Sequence, residues 1–279
     1  RAVLGKMRRF ELQILYARGM AKLWEKIERL RNIDNLRLAD FGTRRRHSFL
    51  WQDWTVQAMT EGLGEKFIGT SNCLIAKNRD LAAIGTNAHE LPMIYSALAA
   101  TDEALRKAPY EVMSDWHEEH DGNLRVILPD TYGTQGFLDN APDWLAKWTG
   151  IRIDSGDPIS GAEAAIKWWK TRGEDPKKKL VIFSDGLDVE KIVELQALFE
   201  GRVRVSFGWG TLLTNDFRGL VSNDALKPFS LVCKVVSADG RPTVKLSDNP
   251  NKAMGPKEEV ERYKQIFGVN QQVTQPVIV

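Results

Sequence analysis

Residues 150–185 read GIRIDSGDPISGAEAAIKWWKTRGEDPKKKLVIFSD. Gly150-Ile151-Arg152-Ile153-Asp154 and Leu180-Val181-Ile182-Phe183-Ser184-Asp185 are short β-rich runs, each halted by a carboxylate. Between them Ala162, Ala165, Ile166 and Trp169 recur at helical spacing, Ser160 with Glu163 makes a capping box, and Gly173 closes the helix. One strand, one helix and two short loops fill the interval, which is a βα unit. The unit repeats. Leu124 to Asp130 precedes it, and Val203 to Gly208 follows it behind a helix capped by Asp188 and ended by Gly201. Leu36 to Asp40, Lys66 to Gly69 and the weaker Ala82 to Gly85 lie upstream. Strands covered by helices on both faces and repeated in this way favour an α/β fold built as an irregular parallel β/α barrel; an open doubly wound sheet shares the local pattern.

The rhythm breaks at both ends. Residues 1–34 read as a helical lead-in, where Phe10, Ile14, Ala17, Ala21 and Trp24 make one apolar stripe. Residues 35–228 form the barrel. Residues 229–279 read as the C-terminal segment of a second α/β domain: a hairpin of Leu231 to Val236 and Pro242 to Leu246, then a helix from Pro256 to Phe267 ended by Gly268. The chain opens at Arg1 and reads as a piece of a longer protein, with the N-terminal half of the second domain missing.

The chain has 279 residues, with 39 Lys plus Arg against 37 Asp plus Glu, a formal charge of +2 and a 43% hydrophobic share. That composition excludes disorder as the main state. A balance so near zero creates no global field to hold nucleic acid or an anionic membrane, so neither is expected as a partner. The apolar runs are far shorter than the roughly 18 residues a bilayer span needs. Two cysteines, Cys73 and Cys233, make neither a disulfide framework nor a four-ligand zinc site, which points to a reduced, cytoplasmic protein.

In a parallel barrel the loops at the strand C-termini surround one space. Here those loops are rich in polar residues: Asp40-Phe41-Gly42-Thr43-Arg44-Arg45-Arg46, Gly69-Thr70-Ser71-Asn72, Gly85-Thr86-Asn87-Ala88-His89-Glu90 and Asp130-Thr131-Tyr132-Gly133. Arg152 to Asp157, Ser184 to Asp188 and Phe207-Gly208-Trp209-Gly210-Thr211 continue the series. Gly208, Gly210 and Thr211, and Ser184 to Gly186, offer backbone N–H groups to a phosphate without an obstructing Cβ. Asp130, Asp154 and Asp157 suit sugar hydroxyls or Mg²⁺ beside a polyphosphate. His89 opens a helix with its ring in the cleft, and Arg44 to Arg46 lie where substrate anions would bind. His117 and His120 read as part of a solvated segment, and Lys177 to Lys179 as an exposed run. Phosphate donors, arginines and carboxylates together describe a phosphorylated sugar.

These strand-end motifs, in this order and together with Lys245-Leu246-Ser247-Asp248, resemble those of the bacterial nicotinate phosphoribosyltransferases. The resemblance implies a type II phosphoribosyltransferase fold and a homodimer with shared active sites. The implied reaction joins nicotinate to phosphoribosyl pyrophosphate, coupled to ATP hydrolysis, and gives nicotinate mononucleotide and pyrophosphate for NAD salvage. By position, His89 resembles the histidine that ATP phosphorylates. Phe41 resembles the aromatic that stacks on the pyridine, and Arg44 and Arg152 the cations facing the pyridine and phosphate groups. Asp130 and Asp154 resemble the carboxylates around the ribose and its Mg²⁺-bound pyrophosphate, which makes them the expected metal residues and, with His89, the catalytic set. Gly186, Gly208, Gly210 and Thr211 resemble the 5′-phosphate cradle, and Thr70 and Ser71 fall among the substrate-binding residues. Relatives carry a further N-terminal domain that covers the partner's site, so this piece alone is expected to turn over poorly. The competing readings are a non-catalytic phosphosugar-binding barrel and a phosphoribosyltransferase for nicotinamide or quinolinate.

Ser71 bears on the choice of base, because the nicotinamide-using relatives carry an aspartate there. Against a nicotinate carboxylate about 4 Å away, an aspartate costs about 4 kcal/mol at an effective dielectric near 20, roughly a thousandfold in affinity. A serine hydroxyl instead donates a charge-assisted bond worth about 1.5–3 kcal/mol. Ser71→Asp in the full-length enzyme is therefore expected to shift preference from nicotinate toward nicotinamide. Steady-state kinetics on both bases tests this; unchanged nicotinate kinetics would place Ser71 away from the ring.

Overall fold

In a computed structural model, which describes residues 9–220, 226, 228 and 231–269, six strands form one parallel sheet. They are β1 (Leu38–Asp40), β2 (Phe67–Thr70), β3 (Val126–Ile127), β4 (Gly150–Ile153), β5 (Leu180–Phe183) and β6 (Arg204–Trp209), in the order β2-β1-β6-β5-β4-β3. The first strand pairs with the last, Leu38 against Phe207 and Asp40 against Trp209. That is the connectivity of a barrel followed around its circumference. The ladder is interrupted at one seam. Thr70 makes one parallel bridge to Ala83, all that remains of the expected strand at Ala82 to Gly85, and among the described residues no ladder joins Ala83 to β3. His89, from the segment after β2, still reaches Thr131 just past β3, with Nδ1 2.9 Å from Oγ1. The seam is bridged by side chains.

Helices α1 (Arg9–Leu30), α2 (Phe49–Leu63), α3 (Cys73–Asn78), α4 (Glu90–Leu98) and α5 (Asp102–Glu119) surround the first half of the sheet. The second half carries α6 (Thr134–Asn140), α7 (Pro158–Thr171), α8 (Val189–Phe199) and the short α9 (Thr211–Thr214). Side-chain caps start several of them. Ser48 accepts from Trp51 N for α2, Thr101 from Ala104 N for α5, and Asp188 from Lys191 N for α8. Helix α7 begins earlier than its expected capping box: Asp157 is the cap, accepting from Ser160 N, and Pro158 takes the first turn. Ser160 is thus inside the helix, and Glu163 pairs with Arg202 instead.

The main core lies between sheet and helices, where Trp169, Phe183, Phe199 and Phe207 are buried almost completely. Each such side chain contributes roughly 1.5–3 kcal/mol relative to exposure. Leu23, Ile27 and Leu30 of α1 join the same core, so the lead-in is packed on the barrel. Residues 1–8 of that lead-in, 221–225 and 227 of the barrel, and 229, 230 and 270–279 of the C-terminal segment lie outside the described residues. Lys179 departs from the exposed run expected of it: it is buried and donates to Ala146 O and Trp148 O.

The C-terminal hairpin is shorter than its sequence pattern suggests. Strands β7 (Ser237–Ala238) and β8 (Arg241–Pro242) pair antiparallel across Asp239 and Gly240, both at positive φ as a tight hairpin turn requires. Thr243 extends the hairpin by donating from its N to Val236 O and from its Oγ1 to Val235 O, but beyond that the flanking residues bond elsewhere. Arg45 Nε donates to Leu231 O, Lys245 exchanges backbone bonds with Met254, and Leu246 N donates to Thr131 O. Helix α10 (Lys257–Phe267) ends on left-handed Gly268 as expected. Its Tyr263 packs with Leu246, Val244 and Tyr132, tying the segment to the barrel. No helix among the described residues is long and apolar enough to cross a membrane.

His47 sits in an aromatic cluster, 4.2 Å from Phe217 and 5.9 Å from Tyr16 between ring centroids, with Nε2 buried and unpartnered among the described residues. Burial pushes its pKa down to about 4. Between the ordinary value near 6.5 and about 4 the folded chain therefore binds fewer protons than the unfolded one. Stability held above that window is lost as pH falls through it. Denaturant unfolding at several pH values should show this limb flattened in His47→Phe; identical slopes in the two proteins would refute the assignment.

Candidate active site

The C-terminal ends of the strands open into a cavity of about 510 Å³, within the range typical of small-molecule sites. The barrel loops contribute Phe41, Arg44 and Arg45 after β1, and His89 from the segment after β2. Arg152 and Asp154 come from the end of β4, Ser184 to Leu187 from β5, and Gly210 to Leu212 from β6. Residues from Val232 to Met254 close the opposite wall.

Arg152 and Asp154 organise the floor. Strand alternation puts residues 152 and 154 on one face of β4, and the guanidinium donates to Asp154 Oδ1 at 2.6 Å, Ser184 Oγ at 2.8 Å and Thr86 Oγ1 at 2.9 Å. Ser184 also donates to Asp154 Oδ1 at 2.7 Å. Burial alone would raise the Asp154 pKa; the Arg152 charge, the His89 ring and the Ser184 hydroxyl override it and hold the carboxyl well below its usual range. His89 is 4% exposed, and its two edges are held separately. Nδ1 meets Thr131 Oγ1, while Nε2 lies 3.2 Å from Asp154 Oδ2 and 3.5 Å from Asp130 Oδ1.

Asp130 stands behind the histidine, buried and off the cavity wall; Ser155 donates to its Oδ2, and Oδ1 has no hydrogen-bond donor among the described residues. Phe41 lies on the wall with the Arg152 guanidinium 5.5 Å from its ring centroid. Gly186, Gly210 and Thr211 line the cavity, and Arg45 donates to Thr211 Oγ1. Gly208 does not: a Cβ there would fall 2.4–2.7 Å from ring carbons of Phe41, so this glycine admits the aromatic ring rather than a phosphate. Thr70 is also displaced from its expected role, being fully buried and donating to Asp40 Oδ2. Ser71, expected at the substrate, is half-buried and not among the lining residues, its Oγ 2.7 Å from Thr43 Oγ1. Thr43 lies in sequence between the wall residues Phe41 and Arg44. Asp157 is spent on its cap, and Arg46 turns to Thr43 O and the Phe49 ring. His117 is exposed on α5, accepting from Trp148 Nε1.

Three lysines that the strand-end pattern did not single out as site residues complete the cavity. Lys234 pairs with Glu90 and Lys252 with Asp185, both at 2.8 Å or less. Lys245 is 5% exposed and lines the cavity; burial lowers its pKa, while Asp130 and Asp154 push it back up. Burial raises the Asp185 pKa against the pull of Lys252. The only sequence signal for these lysines was the Lys245-Leu246-Ser247-Asp248 motif, since they follow no long strand. The arrangement supplies cations for a polyanion, a flat apolar face for a ring, and a histidine whose orientation is fixed on both edges.

The sequence matches the nicotinate phosphoribosyltransferase (NAPRTase) family over residues 36–271. Among solved structures it is similar to the nicotinate phosphoribosyltransferase from Porphyromonas gingivalis, with 32% identity and a TM-score of 0.83 over 96% of this chain and 67% of that one. The Vibrio cholerae enzyme gives 36% identity and a TM-score of 0.81, over 94% of this chain and 61% of that one. A putative nicotinate phosphoribosyltransferase from Saccharomyces cerevisiae gives 31% identity and 0.81, over 91% and 63%. The chain thus spans about two thirds or less of the length of these proteins.

The packing of Phe41 on Gly208 is testable apart from any activity. Gly208→Ala should destabilise the fold by about 1–3 kcal/mol, the usual cost of overpacking. Phe41→Leu in the same chain should recover much of that loss in denaturant unfolding; a Gly208→Ala protein as stable as the parent would show the ring is free to move away.

Proposed function

We propose a function from one premise: the chain belongs to the nicotinate phosphoribosyltransferase family. The reaction is transfer of the ribose 5-phosphate unit of phosphoribosyl pyrophosphate to the ring nitrogen of nicotinate, giving nicotinate mononucleotide and pyrophosphate. The observation that carries this reading is the convergence of Arg152, Asp154 and His89 at the head of a cavity edged with cations.

Phe41 offers the aromatic surface for the pyridine, and Arg44 and Arg152 offer charge to its carboxylate. Arg152 is fixed by three acceptors, so little ordering cost remains when substrate arrives. The glycosyl carbon passes through an oxocarbenium-like state as the bond to pyrophosphate breaks. Asp154, held ionised by its neighbours, is the charge suited to stabilise it. Gly186, Gly210 and Thr211 suit the 5′-phosphate. The residues present fit Mg²⁺: Asp130 Oδ1 and the Asp154 carboxylate are hard oxygen donors, and with His89 they form a set whose ligand atoms lie within 4.8 Å of one another. When bound, the ion would neutralise charge on the pyrophosphate.

ATP coupling enters through His89, whose ring nitrogen we assign as acceptor of the γ-phosphoryl group. ADP is the leaving group, and the support is a buried imidazole bordering the cavity with the carboxylates of Asp154 and Asp130 beside its Nε2 edge to stabilise the positive charge the ring acquires. We further propose a cytoplasmic homodimer. The free cysteines Cys73 and Cys233 fit a reducing compartment, and Leu231 and Val232, each 49% exposed beside the cavity, offer an apolar surface.

The test is product analysis on the complete protein with nicotinate, nicotinamide or quinolinate and phosphoribosyl pyrophosphate, with and without ATP. Nicotinate mononucleotide should form, faster with ATP, and labelled ATP should leave an acid-labile, base-stable label that His89→Ala abolishes. Asp154→Asn should slow turnover roughly 10²- to 10³-fold, as loss of a transition-state charge partner does elsewhere. A folded protein yielding no product with any base would favour the non-catalytic phosphosugar-binding module.

A further inference from the structure

Three consecutive residues of the C-terminal segment, Leu246, Ser247 and Asp248, hold the loop that follows β3. Leu246 N and Ser247 N both donate to Thr131 O, at 2.8 and 3.2 Å. Ser247 is left-handed, at φ 69°, a conformation that costs a residue other than glycine free energy and persists where surrounding bonds offset it. The Asp248 carboxylate then caps the start of α6, accepting from Thr134 N at 2.8 Å and from Thr134 Oγ1. Gly156 lets this turn come close. A Cβ there would lie 3.1 Å from Asp248 Cβ, on a residue whose own φ is +75°.

From the turn a short chain of bonds runs to the histidine. Asp248 N donates to Ser155 Oγ at 3.2 Å, and Ser155, 3% exposed, has its Oγ 2.5 Å from Asp130 Oδ2. The polarity here is fixed. A backbone N–H only donates, so Ser155 accepts from Asp248; an ionised carboxylate only accepts, so the single Ser155 proton goes to Asp130. That bond holds Oδ2 and leaves Oδ1, which has no hydrogen-bond donor among the described residues, 3.5 Å from His89 Nε2. On the other edge of the ring, Nδ1 meets Thr131 Oγ1, from the residue whose carbonyl the same turn grips. We infer that Ser155 and Asp248 are positioning residues that fix the Asp130 carboxylate against His89, one oxygen tied and the other presented to the ring. The inference rests on the proposed function, in which Asp130 and His89 serve the reaction, and goes beyond it by giving the turn at residues 246–248 a part in that chemistry.

The experiment combines kinetics on the complete protein with a crystal structure of one variant. Ser155→Ala should lower kcat roughly ten- to a hundredfold, as loss of one hydrogen bond to a charged group does. KM for nicotinate should hold, since Asp130 is off the cavity wall. Asp248→Ala should lower kcat by a smaller factor, and Asp248→Asn should restore it, because an amide can accept from Thr134 N and donate to Thr134 Oγ1. In an Asp130→Ala background Ser155→Ala should cost nothing further, whereas a merely loosened fold would lose the same factor in both backgrounds. The crystal structure of Ser155→Ala reads positioning without turnover: the Asp130 carboxylate should be rotated, with Oδ1 turned from His89 Nε2 and β4 unmoved. An unrotated Asp130, a kcat equal to the parent's, or equal losses in both backgrounds overturns the inference. Where Asp130→Ala is too slow to measure, the orientation of the carboxylate decides. Should Ser155→Ala fail to fold, Ser155→Cys, similar in shape but a weak donor, puts the same question to the carboxylate. Failure of the underlying function looks different: the parent itself would form no product with any base, and the positioning role would go with the chemistry it serves.

Discussion

Everything at the head of this barrel depends on β1 being hydrogen-bonded to β6. That pairing joins strands separated by most of the barrel's length in sequence, and it continues beyond the strand as Phe41 N donates to Trp209 O. It brings Phe41 against Gly208 and Arg45 against Thr211. Without it, the loop after the first strand and the loop after the last would not share a cavity. Side chains then span the opposite side, His89 to Thr131 and Asp154, where no backbone ladder runs among the described residues. Main-chain bonds join the strands on one side, and on the other the contacts are made by the groups assigned to the chemistry.

The charge of the whole chain, +2, says little about the charge of the site. Among the described residues six cationic side chains line the cavity, Arg44, Arg45, Arg152, Lys234, Lys245 and Lys252, against two carboxylates, Asp154 and Asp185. In a partly enclosed space of lower effective dielectric such an excess acts strongly on an anionic ligand and fades with distance. Several of these cations already have partners: Arg152 holds Asp154, Lys234 holds Glu90 and Lys252 holds Asp185. The pairs keep the charges positioned and limit the cost of burying them.

Much of this was legible in the sequence because strand ends in a parallel barrel share a location. The strand-end reading groups Arg152, Asp154, His89, Gly186, Gly210 and Thr211, and these six line one cavity. What cadence does not convey is which way each side chain turns, since neighbouring residues at a strand end face opposite sides. Thr70 and Gly208 therefore belong to the packing behind the wall, and Asp130 lies beneath His89. The lysines were harder to foresee. They sit on a segment whose two strands have two residues each, and its apolar pattern suggested a hairpin when its backbone bonds instead reach Thr131, Met254 and one another. Lys179 failed for a related reason: a run of like charges looks solvated as a whole, even when one member folds inward onto Ala146 and Trp148.

Because one wall of the cavity comes from residues 232–254, the site cannot exist while the chain is still being synthesised up to β6. Domains organise from the N-terminus as translation proceeds, so a nascent barrel would hold Arg152, Asp154 and His89 in an open cup. The lysines arrive last. Any premature stop ahead of Lys234 leaves a barrel whose strands can pair but whose mouth is one-sided.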